Sequence, residues 1–289
     1  MMMARVLACA LLVACVGIAA PAQDAARVYP LTLTRGSRLM IEAKINGHPV
    51  SALLDSAAEA TFLDRGFAHS LGLKGGETVA GQGSGESSFE TALVNGVTLE
   101  ALGLSLADQT VGVTDLGDVG RRLLGHPIDV ILGREVFDAA RLAIDIDGRS
   151  IAVVTRAHEP RGVRLELVTE HGIETVPASV PGSAPVRATF DLGNGSQVLI
   201  SRALAEKLKL VDAGKAARTE RGGGLGGETE RQIVTLPYLE LAGRRFTGIE
   251  AAVDPQPSAS DLNVGVSVLR HFRITTDYAQ HAVWLEPRD

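Results

Sequence analysis

One pattern occurs twice in this chain, in the same order, and it limits the fold more than any other feature. Residues 53–63 read LLDSAAEATFL and residues 189–200 read TFDLGNGSQVLI. Each block carries an apolar strand to an Asp, then small residues, then a second apolar strand, with Asp55 and Asp191 in matching places. Further along, ILGREVFDAARLAID at 131–145 matches NVGVSVLRHFRITTD at 263–277 and aligns Gly133 with Gly265, Val136 with Val268, Arg141 with Arg273 and Asp145 with Asp277. Between these lie two Gly-rich hexamers, 81–86 and 223–228. Three blocks in one order at nearly constant spacing describe two copies of a ~130-residue unit. The boundary falls near 157–161, which gives halves of 28–156 and 161–289.

Each copy reads as mostly β. Leu39, Ile41, Ala43 and Ile45 share one face of a strand, and Asn46-Gly47 is a strong hairpin signal. Val50 to Leu54 returns as the second strand and delivers Asp55 to a turn. In the second copy the expected sequence of events is a strand over 163–168, a turn at Pro181-Gly182-Ser183, and a strand over 186–190 that delivers Asp191. Asp64 and Ser201 are placed to cap short helices carrying Phe67 with Leu71 and Leu204 with Leu208. A further helical turn or two is expected after Gly133 and after Gly265, and strand periodicity dominates 91–106, 142–154, 233–241 and 274–285. No segment after the N-terminus is long and apolar enough to span a bilayer as a helix.

Composition narrows the function classes. Hydrophobic residues are 45% and charged residues 21%, too apolar for a disordered chain and too charged for a multi-span membrane protein. A net charge of −6 argues against a nucleic-acid partner. Residues 1–22 read as an export signal: Arg5, an apolar run from Val6 to Ala20, and a small-x-small site at Ala20-Pro21-Ala22. A periplasmic or secreted product follows, and Leu12-Val13-Ala14-Cys15 offers lipid anchoring through Cys15 as the alternative. Both cysteines, Cys9 and Cys15, lie in this segment, so thiol catalysis and disulfides are excluded for the exported chain.

One Asp per copy, each at the end of a buried strand, suggests a carboxylate pair across a pseudo-two-fold axis. Two carboxyls held ~3 Å apart cannot both ionise and share a proton. The ionised one can take a proton from a water between them, and the protonated one can hydrogen-bond a substrate carbonyl. Here the chain resembles the aspartic proteases, specifically the retropepsin-like bacterial members. Asp55-Ser56-Ala57-Ala58 is similar to the family's Asp-Thr/Ser-Gly-Ala motif, and Asp191-Leu192-Gly193-Asn194 resembles it in the second copy. Ile131-Leu132-Gly133 resembles the strand that runs beneath the Asp loop, and Gly265 stands in the same place. The resemblance implies an all-β fold of two pseudo-symmetric retropepsin-like β-barrel lobes with short helices, in a bilobal, pepsin-like arrangement. It implies Asp55 and Asp191 as the catalytic pair, supported by Ser56, Ala57 and Gly193. It also implies flaps that bind substrate at Gly81, Gly83, Ser84 and Gly85 and at Gly224, Gly226 and Gly227.

Three departures stand out. Ala57 replaces the expected Gly and adds a Cβ beside the substrate path. Leu192 replaces a Thr or Ser whose hydroxyl, in the family, braces the opposite loop. Asn263 interrupts the apolar-apolar-Gly pattern of the second copy. Other patterns are weaker. Gly222 to Gly227 matches G-x-G-x-x-G but lacks the strand-then-helix context of a dinucleotide site. Asp145-Ile146-Asp147-Gly148 lacks the closing ligands of a calcium loop, and the seven His show no metal-ligand spacing. The expectation is a monomeric, exported endopeptidase acting on polypeptides, without cofactor or metal. The alternative is an inactive bilobal protein of the cell envelope that binds peptides or acts as a scaffold.

Overall fold

The hairpin signal at Asn46-Gly47 is where the first half begins to take shape. In the computed structural model, which describes residues 27–211, 218–256 and 260–288, both turn residues have positive φ, 49° and 80°. That is the turn whose twist matches two antiparallel strands. It joins strand Leu39–Ile45 to strand His48–Leu54 in the register Ile45 with His48 and Met40 with Leu53. Leu39, Ile41, Ala43 and Ile45 face the core while Glu42 and Lys44 face solvent. Strand Val130–Leu132 runs parallel to the end of His48–Leu54 and antiparallel to the outgoing strand Phe62–Asp64. It therefore lies directly under the loop that carries Asp55.

The second half repeats this arrangement strand for strand. Strand Val186–Phe190 delivers Asp191, strand Leu262–Val264 runs parallel to it, and outgoing strand Val198–Ser201 is antiparallel to that. Each half folds as an eight-stranded sheet with the same spatial order. In the first half it runs Thr32–Leu33, Leu39–Ile45, His48–Leu54, Val130–Leu132, Phe62–Asp64, Leu104–Thr114, Ser88–Ala101, Glu77–Gln82. In the second it runs Val168–Glu170, Ile173–Ala178, Val186–Phe190, Leu262–Val264, Val198–Ser201, Arg244–Asp254, Thr229–Leu241, Thr219–Gly222.

One expectation about the second half is corrected. The partner of Val186–Phe190 is Ile173–Ala178, not a strand over 163–168. The stretch 163–168 splits: Val163–Glu166 pairs with the C-terminal strand Ala282–Pro287, and Val168–Glu170 pairs with Ile173–Ala178 across a tight turn at His171-Gly172. Similarly, the run 91–106 contains a hairpin, turning at Leu102-Gly103 with φ of 54° and 77°.

A six-stranded antiparallel sheet ties the halves together. Its order is Val28–Pro30, Ser150–Val153, Leu142–Asp145, Phe272–Asp277, Ala282–Pro287, Val163–Glu166, three strands from each half. At the seam Ile144 pairs with Ile274. Asp277, fully buried, there accepts from Arg141 Nε at 3.0 Å and from Arg156 Nε at 2.7 Å. One apolar cluster runs through both halves, and Phe137 stacks on Tyr278 with ring centroids 5.3 Å apart.

The helices are short and locally specified. Asp64 Oδ1 accepts from Gly66 N–H at 2.8 Å and starts helix Arg65–Ser70, while Ser201 Oγ accepts from Leu204 N–H at 3.2 Å and starts helix Arg202–Lys207. Helices Glu135–Ala139 and Val266–Leu269 follow the two under-loop glycines as expected. Helix Gly117–Leu124 in the first half was not expected from the pattern. The N-terminal segment expected to be an export signal, with both cysteines, lies outside the described residues. Among the described residues no helix is long and apolar enough to cross a membrane.

Candidate active site

Each Asp is held at the end of its strand by the strand beneath. Asp55 N–H donates to Leu132 O at 2.9 Å, and Asp191 N–H donates to Val264 O at 3.1 Å. The residue after each under-loop Gly grips the loop in the same way, Arg134 N–H on Ala58 O and Val266 N–H on Asn194 O. Glycine is required at both under-loop positions because the loop passes too close. A Cβ on Gly133 would lie 2.4 Å from Ala60 O, and one on Gly265 would lie 2.1 Å from Asn194 O.

The two loops meet. A Cβ on Gly193 would fall 2.3 Å from Asp55 Cγ, so the second loop rests directly on the first carboxyl. Ser56 Oγ donates to Phe190 O at 2.8 Å and accepts from Leu192 N–H at 2.8 Å, which ties the first loop to the strand and loop that carry Asp191. Tyr278, from the second half, donates to Ser56 O at 3.2 Å. With no hydroxyl at Leu192, this brace has only one side; Leu192 is instead fully buried in the core. Ala57 keeps a negative φ, and its N–H donates to Asp55 Oδ1 at 2.9 Å.

Both carboxyls are enclosed by protein yet keep some accessible surface. Enclosure disfavours the charged form. Burial, and after it the charge of Asp191, raises Asp55 to about 7, against the opposing hydrogen bond from Ala57 N–H and the charge of Arg38. Burial raises Asp191 as well, opposed by hydrogen bonds from Asn263 and from Asn194 N–H and by Arg38. Such a pair holds a shared proton well above the usual carboxylate range.

The Gly-rich hexamers form the turns of two hairpins, Glu77–Gln82 with Ser88–Ala101 and Thr219–Gly222 with Thr229–Leu241. Their tips touch. Gly85 N–H donates to Leu225 O at 2.9 Å, Ser87 N–H donates to Gly226 O at 2.9 Å, and Gly83 packs on Leu225. Gly224 packs on the Ser84 hydroxyl, while Gly226 and Gly227 take φ of 91° and 98° that side-chain-bearing residues avoid. Gly81 lies lower in its hairpin, under the ring of Phe89. Each tip is also gripped by an Arg from the other half. Arg122 donates to Gly223 O at 2.8 Å and to Gly224 O at 2.9 Å, and Arg231 donates to Ser84 O at 2.6 Å. Leu225 joins the apolar cluster of Met40, Leu53, Leu116 and Ile131 beside Ala58, which places this tip against the wall next to Asp55.

A family model described as "Aspartyl protease" matches residues 41–136 and 176–268, well over half of the chain. The chain belongs to the aspartyl protease family. Its fold is that of a two-lobed aspartic proteinase. The crystal structure of the aspartic proteinase from Irpex lacteus superposes with a TM-score of 0.55 at 14% identity, over 92% of this chain and 98% of that one. No curated protein matches the sequence. In aspartyl-protease terms, the structure brings Asp55, Ser56, Ala57, Asp191 and Gly193 together at one point and sets Gly133 and Gly265 beneath them.

Several residues at this site were not singled out from the sequence for what they do. Asn263 reaches Asp191, and Asn194 reaches Asn263. Arg38, only 6% exposed, packs its guanidinium on Gly195 of the second loop and donates to Gly36 O at 2.8 Å. Glu174 stands as far ahead of Asp191 as Arg38 does of Asp55, and it pairs with Arg134 at 3.5 Å. The repeat sets basic Arg38 and acidic Glu174 in matching places, a difference legible in the sequence, but the two do not pair with each other and Glu174 serves Arg134 rather than the Asp pair. Two surface depressions have volumes of about 640 and 630 Å³, and neither is lined by Asp55 or Asp191. Among the described residues no group of three His, Cys, Asp or Glu could hold a metal ion.

Proposed function

We propose that this chain is an exported aspartic-type endopeptidase that hydrolyses peptide bonds with a water activated between Asp55 and Asp191. The observation that carries the reading is the meeting of the two loops: Gly193 rests on the Asp55 carboxyl, and Ser56 ties that loop to the strand and loop carrying Asp191. With one proton on the pair, the ionised carboxylate takes a proton from the water as its oxygen attacks the scissile carbonyl carbon. The protonated carboxyl donates to the carbonyl oxygen. The resulting diol collapses as a proton passes to the leaving nitrogen, which breaks the C–N bond and restores the singly protonated pair. The chain's own hairpins 77–101 and 219–241 offer strand edges to an extended peptide.

The test uses purified residues 23–289 on a mixed library of unstructured peptides from about pH 3 to pH 8. The wild type, Asp55→Ala and Asp191→Ala are compared by mass spectrometry of the products. Cleavage by the wild type alone supports the reading. Cleavage retained by either variant refutes the mechanism, and peptide binding without cleavage by any of the three favours a binding protein. Export through residues 1–22 predicts a product beginning at Gln23, or one lipid-modified at Cys15, which N-terminal analysis of the cell-envelope protein distinguishes.

A further inference from the structure

The strands beneath the two Asp loops differ at one position. Ile131 precedes Leu132-Gly133 in the first half, and Asn263 precedes Val264-Gly265 in the second. Asn263 Nδ2 lies 2.6 Å from Asp191 Oδ2. Which end of this amide faces the carboxyl is decided by a chain of partners that begins at a backbone N–H. Ser196 N–H can only donate, and it lies 2.9 Å from Asn194 Oδ1. Asn194 Nδ2 is then the donor to Asn263 Oδ1 at 2.8 Å and to Gln197 O at 3.2 Å. Asn263 Oδ1 is thereby engaged as an acceptor, and its Nδ2 is left to face Asp191.

Asp191 Oδ1 meanwhile accepts from Asn194 N–H at 2.9 Å. Both Asp191 oxygens therefore receive a donor, which favours the ionised form. Asp55 accepts from Ala57 N–H at 2.9 Å and is also favoured in its charged form by Ala58 N–H, but the Ile131 side chain in its under-strand offers no donor to match the Asn263 amide. Among the described residues, the charged or titratable side chains that face Asp191 are Asp55 from the first loop and Arg38 from the turn ahead of strand Leu39–Ile45. Buried Arg38 favours the ionised form of both carboxyls, so the difference between them comes from the donors around each.

We infer that Asn263 is a positioning residue that holds the ionised carboxylate of the pair on Asp191 and leaves the shared proton on Asp55. Under the proposed peptidase reading, Asp191 is then the base toward the water and Asp55 the acid toward the substrate carbonyl. The location of the charge does not depend on that reading, and the test separates the two.

The full exported chain, with its Asp carboxyl carbons assigned, is titrated by NMR from about pH 2 to pH 9, each carbon being read at its own site because the pair titrates jointly. In the wild type the Asp191 carbon keeps its ionised shift to lower pH than the Asp55 carbon. In Asn263→Ile, which copies Ile131, the Asp191 midpoint rises by about one pH unit, and the acid limb of kcat/KM rises with it. Asp55 holding its charge to lower pH in the wild type overturns the inference, even if the variant fails to fold. So does a variant that loses kcat while its acid limb stays in place, since that is what a merely structural Asn would do. A wild type without turnover removes the peptidase reading and leaves the titration order as the deciding result.

Discussion

Replacing Ser56 by Ala tests the tie between the halves most directly. The Ser56 hydroxyl, in a side chain only 3% exposed, satisfies two backbone groups of the other half at once, Phe190 O and Leu192 N–H. Ala leaves both without that partner. An orphaned buried polar group costs about 1–3 kcal/mol. The carbonyl, with a second lone pair, falls toward the low end, and the N–H has no such reserve. The expected loss is therefore about 2–4 kcal/mol. One apolar cluster and one six-stranded sheet join the halves, so the loss should appear as a shift of a single urea transition with unchanged slope. The same change frees the Asp191 loop beside its carboxyl, and kcat/KM should fall by at least about tenfold, the equivalent of 1.4 kcal/mol. A destabilisation below about 0.5 kcal/mol would show that the hydroxyl is not a brace and refute the reasoning.

Other consequences follow from the same contacts. Asp55→Asn should stabilise the protein at pH 8 and leave its Tm unchanged at pH 3. Because the native carboxyl titrates near 7 rather than at 3.8, the folded state binds an extra proton between those values and stability falls as pH rises through them; equal Tm changes at both pH values would contradict this. Asp277 has the opposite sign. Burial pushes its carboxyl up, but the hydrogen bonds from Arg156 and Arg141 outweigh that and hold it below the usual range. Its contribution is thus present at neutral pH and lost as pH falls through the lowered value. Asp277→Asn leaves the buried Arg141 charge uncompensated and should cost about 3–5 kcal/mol at pH 7, measured by denaturant titration. Arg122→Ala removes the grip on Gly223 O and Gly224 O, and should raise hydrogen exchange in 222–228 without changing it at the seam between Leu142–Asp145 and Phe272–Asp277.

The features legible in the sequence are those decided by a few neighbouring residues. Asn46-Gly47 adopts its turn because both residues tolerate positive φ, and Asp64 and Ser201 start helices because a short oxygen-bearing side chain reaches a nearby N–H. The duplicated Asp blocks are legible for another reason: a twofold site must repeat whatever local pattern builds it. The strand over 163–168 was misplaced because alternation shows that a segment is extended and not which strand it will join. Val163–Glu166 finds its partner at the far end of the chain, in Ala282–Pro287.

Asn263 makes the same point at the site. By sequence it is an interruption in an apolar strand; only the fold turns it toward Asp191, through Asn194 and the N–H of Ser196. By itself, then, the sequence determined the repeat, the β character, the hairpin turns, the caps and the two Asp positions, because each follows from local sterics and short-range hydrogen bonding. Tertiary structure alone decided which strands pair between the halves, how the hairpin tips meet, and which polar groups surround each carboxyl. Those outcomes depend on burial and on partners distant in the chain, and the electrostatics of the Asp pair arises entirely from them.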